Sequence, residues 1–433
     1  MFLALDDTDG PGGGCTTHTA LALLEHLRQK FGLVLRGPPR LVRLNPNVPH
    51  KTRGNGAVAM ELGTRDGVAV PLGSWNGAVL ESYPDSRAAA PDHHVLEAAW
   101  AFIDAASQKD AQPGLVLAAR PLPPECYDAA VKGCVTPDEA RHAAGLLGVP
   151  HRFRGTGRSL AGCLGALAWP GPPASHELLA YRERSRWGMP RSMHEQALLH
   201  LDADGVTFHT SEADHVVAVP HGPDPVLVGL RGRDPARLQQ EGLRALRLAA
   251  QEPIGGWCLW DTNHASGDHV TSVQRVVDGP RWGTISCEAV VAGAPESREG
   301  GHVFVRMTDA AGAGFEAAAF EPTGRLRHAV RALVPGDRVH IVGAYDDGLV
   351  RLEKLRVASL AAHVQKIANP DCPSCGKRMK SSGRDAPFRC RACGTEADRS
   401  AAAFADVARD VALGWHEPAV GARRHLHRPA SWD

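Results

Sequence analysis

Apolar runs alternate along the chain with glycine- and proline-marked turns, and the period of each run predicts an element. MFLAL, Met1–Leu5, is a short continuous apolar run and predicts a buried strand. Leu21, Leu24, Leu27 and Phe31 then recur at helical spacing, so a helix is expected to open at Thr16 or Thr17. Further strands are expected at Arg40–Asn45, Ala57–Leu62 and Leu115–Ala119, and a helix over Ala89–Ala106. The proline-rich stretch Pro113–Pro124 reads as a linker. Beyond it, Pro137–Leu147 predicts a helix that starts on proline, and Gly155–Trp169 a loop entering another. From Gly255 to Leu360 short β-rich runs (WGTISCEAVVAG, HVFVRMTD, GFEAAAFE, DRVHIVGAY, LVRLEKLRV) alternate with Gly, Pro and Asp turns. That spacing predicts a small barrel such as an OB-fold.

The fold class expected is therefore multidomain α+β, divided as 1–124, 125–250, 251–366 and 367–433. The length of 433 residues agrees, since domains run about 100–200 residues each. With 43% hydrophobic and 22% charged residues, the chain is neither disordered nor collagen-like. No apolar run reaches the roughly 18 residues a membrane span needs, and Met1–Leu5 runs into acids without a basic, cleavable leader. Of ten cysteines, four cluster near the C-terminus and six are scattered, a usage that predicts a reducing, cytoplasmic setting with one metal site. Lys plus Arg (48) balance Asp plus Glu (48), but unevenly along the chain. Residues 1–65 carry net +3, residues 366–433 net +4, and the middle −7. Neutrality excludes a uniformly basic protein and leaves two basic ends available to phosphate.

Three motifs carry candidate chemistry. In LDDTDGPGGGCTT, Asp6, Asp7 and Asp9 follow the end of a strand and are expected to gather Mg²⁺. Gly12, Gly13 and Gly14 allow close approach of a phosphate, and the N–H groups of Cys15, Thr16 and Thr17 stand at a helix start. Acids for metal and glycines for phosphate are what phosphoryl transfer requires. The alternative is an acidic turn capped by Thr16. The second motif, RLNPNVPHKTRGNGA, places Lys51, Arg53, Gly54 and Asn55 in a donor-rich loop suited to phosphate, although the Walker A order is missing. A solvated basic turn is the bland alternative. The third is the most specific. Cys372/Cys375 and Cys390/Cys393 are two CxxC knuckles, the pattern of a closed Zn²⁺ site. Lys377, Arg378, Lys380, Arg384, Arg389 and Arg391 surround it, a charge excess that favours a phosphate backbone. Weaker signals are His93–His94, expected as an exposed helix start, and the glycines and cation of GTGRSLAG. DTNHASGDH, Asp261–His269, fits a ligand contact or a capped turn, and Cys15 is expected to pack rather than react.

Taken in order, these motifs resemble the archaeal agmatidine synthetases, which modify an isoleucine tRNA carrying a CAU anticodon. DDTD…GGCTT and RLNPNVPHKTRGNGA resemble that family's kinase-like domain, GTGRSLAGCLGALAW and YRERSRWGMPR its ferredoxin-like domain. GGHVFVRMTD, AFEPTGRLRHAVRALVPGDRV and LEKLRV resemble its OB-fold, and the CxxC pairs its zinc ribbon. The resemblance implies an ATP-dependent ligase that phosphorylates the 2-carbonyl oxygen of the wobble cytidine and replaces it with agmatine. It implies Mg²⁺ at Asp6, Asp7 and Asp9 and phosphorylation of Thr16 during ATP breakdown. The OB-fold and ribbon would grip tRNA, with no membrane partner. Two departures stand out: His50 replaces another aromatic before Lys51, and TNHASGDH carries its acid at Asp268. Two other functions fit the motifs less fully. One is a tRNA-binding factor of this architecture without ligase activity. The other is a DxD phosphotransferase with Asp7 as nucleophile.

Overall fold

The structure, a computed structural model, describes residues 1–49, 51, 54–381, 383 and 386–432. Arg53, Arg384 and His50, singled out from sequence, lie outside the described residues.

The opening apolar run forms β1 (Phe2–Asp6), and the helical spacing after it forms α1 (Thr16–Phe31). A short β2 (Val34–Leu35), β3 (Arg40–Arg43) and β4 (Gly56–Gly63) follow, then the hairpin β5 (Val70–Trp75) and β6 (Ala78–Ser82). α2 spans His93–Ala106 and begins four residues later than expected. Pro91 stops the helix from extending back, and the Asp92 carboxylate accepts the His94 N–H at 2.6 Å as its cap. β7 (Gly114–Ala118), α3 (Pro124–Lys132), α4 (Pro137–Leu146), β8 (His151–Phe153), α5 (Ser159–Ala168) and β9 (Ser175–Arg182) complete the first half.

The linker expected at Pro113–Pro124 is corrected by the structure. Its first half is β7, the strand expected at Leu115–Ala119, buried throughout and paired residue by residue with β1. The prolines only bound the strand, since proline cannot donate to a ladder from a strand interior. Eleven strands among the described residues form one sheet in the order Val226–Gly232, β9, Ile254–Thr262, β5, β6, β2, β4, β1, β7, β8. β3 bridges Ile254–Thr262 and β4. Ile254–Thr262 thus belongs to this sheet, pairing with β9 from Ile254↔Arg182 to Thr262↔Ser175.

β1 is covered on both faces, and its alternation decides what Asp6 meets. Leu3 and Leu5 enter a cluster with Leu21, Leu24 and Leu27 of α1 and Val95 and Ile103 of α2. Ala4 points the other way, into a cluster with Ala130 of α3, Ala140 of α4 and Leu160 and Leu164 of α5. With side chains alternating along a strand, Asp6 falls on the α5 face.

A second body is a closed barrel of five strands: Thr284–Val291, Val303–Asp309, Gly314–Ala319, Arg338–Asp346 and Leu349–Ser359. The first pairs with both the second and the fourth, which closes the circuit, and the third runs parallel to the fifth. The four ribbon cysteines follow it. Residues beyond the ribbon then return: Gly414–His416 pairs with the fifth barrel strand, and Leu426 is buried in the α3–α5 cluster. No helix among the described residues is long and apolar enough to cross a membrane.

Candidate active site

β1 ends at Asp6, and Asp7 turns the chain out of the sheet with φ of 55°. The Asp7 N–H donates to Asp6 Oδ1 at 2.7 Å. α5 passes so close that a Cβ on Gly162 would collide with Asp6 Oδ2, so glycine is required there. Desolvation, reinforced by Asp7, raises the Asp6 carboxyl well above the usual range. Asp7 Oδ2 accepts from Arg158 Nε at 2.8 Å, at the N-terminal end of α5. Asp9 Oδ1 accepts from Thr16 Oγ1 at 3.3 Å, and Thr16 in turn receives Thr8 Oγ1 at 3.2 Å. Thr16 opens α1, whose first turn holds no acid, so the positive end of the helix faces Asp9.

The glycines act mainly on the backbone. Gly10 and Gly13 exchange N–H···O bonds at 2.9 and 3.1 Å, and Gly14, at φ of 83°, leaves Asp9 room. Cys15 is a packing thiol: burial pushes its pKa up, and its sulfur lies 3.0 Å from Thr17 Oγ1. His18 is caged by Trp75, Tyr181 and Trp187 and held neutral, its pKa lowered to about 4 by burial.

The second loop comes to the same place. One cavity of ≈ 90 Å³ is lined by Asp6, Asp7 and Asp9 together with Lys51, Gly54, Asn55 and Arg158. A neighbouring cavity of ≈ 240 Å³ joins Asp9, Cys15, Thr16 and Thr17 to Glu177, Asp224 and Arg231. Gly12, Gly13 and Gly14 line neither cavity. The asparagines of the loop are spent on its shape. Asn55 Nδ2 donates to Asn45 O at 2.9 Å, and Asn45 Nδ2 to Gly133 O at 2.6 Å. Lys51 Nζ bonds Pro46 O.

Sequence reasoning missed Glu177, Arg43, Arg231 and Asp224, which arrive from distant elements. Glu177 accepts from Arg43 Nη2 at 2.9 Å and Arg231 Nε at 3.0 Å. These two cations, Arg231 first, overcome desolvation and hold its carboxyl below the usual range. Arg158 had a signal, the cation in GTGRSLAG. The departure at Asp261–His269 proves structural in its contacts. Asn263 is bonded to the Arg43 backbone at 2.6 and 2.9 Å, and Asp268 Oδ2 accepts from Tyr127 Oη at 2.6 Å. His93–His94 begins α2 as an exposed start.

Two metal expectations fare differently. The Cys372, Cys375, Cys390 and Cys393 sulfurs lie within 4.8 Å of one another, with Cys372–Cys393 and Cys375–Cys390 both at 3.5 Å. A tetrahedral Zn²⁺ with Zn–S bonds of about 2.3 Å spaces its sulfurs by about 3.8 Å, so the set fits zinc. Around it Lys377, Lys380, Arg389 and Arg391 are exposed, while Arg378 is paired with Asp371 at 3.0 Å. Among the described residues only the cysteines converge in this way; Asp6, Asp7 and Asp9 do not. Asp7 is drawn to Arg158 and Asp9 to Thr16. Such a set suits Mg²⁺ carried by phosphates and held by one or two carboxylates, rather than a closed cage.

An acid-lined site at a strand–helix turn, tied to a β-barrel and a four-cysteine ribbon, defines a multidomain α+β protein built to join phosphate chemistry to a large anionic partner. Comparison with known proteins gives the family. Residues 2–152 match the TiaS TCKD domain, 157–269 the TiaS FLD domain and 369–411 the TiaS C-terminal zinc ribbon domain. The chain is 34% identical to the isoleucine-tRNA 2-agmatinylcytidine synthetase TiaS of Methanosarcina mazei, across 99% of this chain and 96% of that protein. It is 34% identical to the Archaeoglobus fulgidus protein of the same name over the same shares. Among solved structures, the complex of TiaS with its isoleucine tRNA and ATP matches with a TM-score of 0.82 at 30% identity, covering 99% of this chain and 96% of that one. The complex of TiaS with the same tRNA, AMPCPP and agmatine matches with a TM-score of 0.79 at 29% identity over the same shares. The chain belongs to the TiaS family of isoleucine-tRNA 2-agmatinylcytidine synthetases.

Proposed function

We propose that this protein is an ATP-dependent ligase that replaces the 2-carbonyl oxygen of the wobble cytidine of a CAU-anticodon isoleucine tRNA with agmatine. The observation that carries this reading is the end-to-end identity with synthetases of that name, together with the solved family complex holding tRNA, an ATP analogue and agmatine. The barrel supports an OB-fold. Its circuit runs first, second, third, fifth, fourth strand, with a helix, Arg325–Arg331, between third and fourth. We read 1–124 as kinase-like, 125–250 as ferredoxin-like, 251–366 as the OB-fold segment, with its barrel strands within Thr284–Ser359 and Ile254–Thr262 lent to the large sheet, and 367–433 as ribbon and extension.

The chemistry follows from the residues. A pyrimidine carbonyl oxygen leaves poorly as oxide and well as phosphate. The γ-phosphoryl group of ATP is passed to that oxygen, the agmatine amine bonds to C2, and the C2–O bond breaks to release phosphate. Asp9 with Asp6 or Asp7 would hold Mg²⁺, which when bound would supply charge neutralisation at the phosphates. Thr16 is phosphorylated in a transfer from ATP separate from that to the cytidine oxygen, with Asp9 at 3.3 Å accepting its hydroxyl hydrogen bond. Arg158 holds Asp7 away from the nucleophile role that a DxD phosphotransferase requires. The Thr16–Glu177–Asp224 cavity is lined by three acids, Asp9, Glu177 and Asp224, and since Arg43 and Arg231 are engaged by Glu177, Asp9 and Asp224 suit a cationic amine. Lys51, Gly54 and Asn55, with Arg53, Gly12, Gly13 and Gly14, serve the phosphates. Lys377, Arg378, Lys380, Arg384, Arg389 and Arg391 serve the RNA backbone, in a cytoplasmic setting. The test is incubation of purified protein with tRNA, ATP and agmatine. Product requires all three, and ATP turnover of equal rate without RNA would falsify the reading.

A further inference from the structure

The chain beyond the ribbon returns to the loop that carries Lys51. The Ala265 N–H donates to His425 O at 2.8 Å and the Gly267 N–H to Leu426 O at 2.9 Å, while Leu426 is fully buried. Arg423 Nη1 lies 2.6 Å from His209 Nε2 and pairs with Glu417 at 3.3 Å. His427 Nε2 meets Glu417 Oε1 at 2.8 Å. His425 presses on the loop so closely that a Cβ on Gly54 would collide with its Nε2.

Between these anchored neighbours stands Arg424. Its guanidinium makes no hydrogen bond or ion pair among the described residues. With Lys51, Gly54 and Asn55 it lines a cavity of ≈ 160 Å³, which shares those three residues with the cavity of Asp6, Asp7 and Asp9. Burial, and then the Arg424 charge, lowers the Lys51 pKa, with Glu353 opposing them, so the two cations stand close enough to share an anionic ligand. Glu353 also feels Arg424, but its oxygens are engaged by His269 at 2.9 Å and Thr284 at 3.1 Å.

We propose that Arg424, carried in from the C-terminal segment, pairs with Lys51 to bind a substrate phosphate beside the acidic cluster. The phosphate belongs either to ATP or to the tRNA backbone next to the target cytidine, and both offer the oxygens a guanidinium fork fits. Anchoring on both sides fixes where the backbone delivers Arg424, and its exposed side chain is left available to a phosphate. The inference rests on the ligase reading for its ligand.

The experiment measures ATP and tRNA affinity separately, by equilibrium binding, for the full-length protein and its Arg424→Ala, Arg424→Glu and Arg424→Lys variants, with thermal melts alongside. Arg424→Glu is expected to weaken one ligand about tenfold or more at unchanged melting temperature, with Arg424→Lys recovering most of the loss. A tRNA phosphate adds a fall of about one in the salt slope of tRNA binding, whereas an ATP phosphate shifts the ATP arm alone. Affinities for both ligands within twofold of wild type in Arg424→Glu overturn the proposal, as does an equal loss in all variants with a lowered melting temperature. Failure of the ligase reading shows up elsewhere, as wild-type protein that binds both ligands and makes no modified tRNA.

Discussion

Asp6 is a carboxylate that the fold keeps at a cost. It lies on the α5 face of β1 against Gly162, beside Asp7, with burial disfavouring its charge. Because its folded pKa is raised, its ionisation weakens the fold as pH climbs above the unfolded value of about 3.9, up through the folded pKa. Asp6→Asn removes that burden. The variant is expected to melt a few degrees higher than wild type without Mg²⁺ and to lose about 100-fold or more in turnover, read by calorimetry and product formation. Thr16 offers a sharper separation. Thr16→Val removes the hydroxyl that meets Asp9 and should abolish phosphate transfer from labelled ATP to protein and to tRNA, while Thr16→Ser retains it. These residues were legible in the sequence because they are contiguous, at a strand end and helix start. Glu177 and Asp224 were not, because their neighbours in sequence carry no shared signal and only the folding of distant strands brings them together.

At the scale of elements, local period proved a good guide and long-range pairing did not. β1, α1, β4 and α5 appear within a few residues of their expected places, since each buries the face its period exposes. β7 is expected as a strand within a stretch also read as a linker, and nothing in its sequence names β1 as its partner, just as nothing within Ile254–Thr262 says that its partners are β9 and β5. The C-terminal segment was the least legible: its sequence reads as a basic tail, yet Glu417 gathers His427, Ala430 and Arg423 into a clasp. Burial alone would raise the Glu417 pKa, but His427 and the Ala430 N–H pull it down to about 2. A lowered carboxyl contributes stability above its unfolded pKa and loses it as pH falls through the folded value. Glu417→Gln should therefore speed hydrogen exchange over 417–432 at neutral pH, equivalent to about 1–3 kcal/mol. The gap from wild type should close between pH of about 4.5 and about 2. A gap that stays constant into acid contradicts the clasp.

Across the whole molecule the charge that cancels in sum is separated in space by function. The +3 of residues 1–65 includes Lys51 beside the acid cluster, and the +4 of residues 366–433 includes the exposed ribbon cations and Arg424. The ribbon is a small body with a core of little more than Met379 and Phe388 between its cysteines, so its order rests on the metal. Cys375→Ser should release zinc, detected with a chromogenic chelator, and weaken tRNA binding about tenfold or more while ATP affinity holds, because the residues proposed to face ATP lie outside the ribbon. Loss of ATP affinity along with tRNA affinity would show the two bodies to be one folding unit.

The central claim concerns one atom of one nucleotide. Mass spectrometry of anticodon-loop nucleosides, after wild-type protein is incubated with a CAU-anticodon isoleucine tRNA, ATP and agmatine, tests it most directly. A cytidine whose mass rises by agmatine less water, only when ATP is present and not with Thr16→Val, is the predicted result. An unmodified cytidine from protein that binds the tRNA and ATP normally contradicts the account.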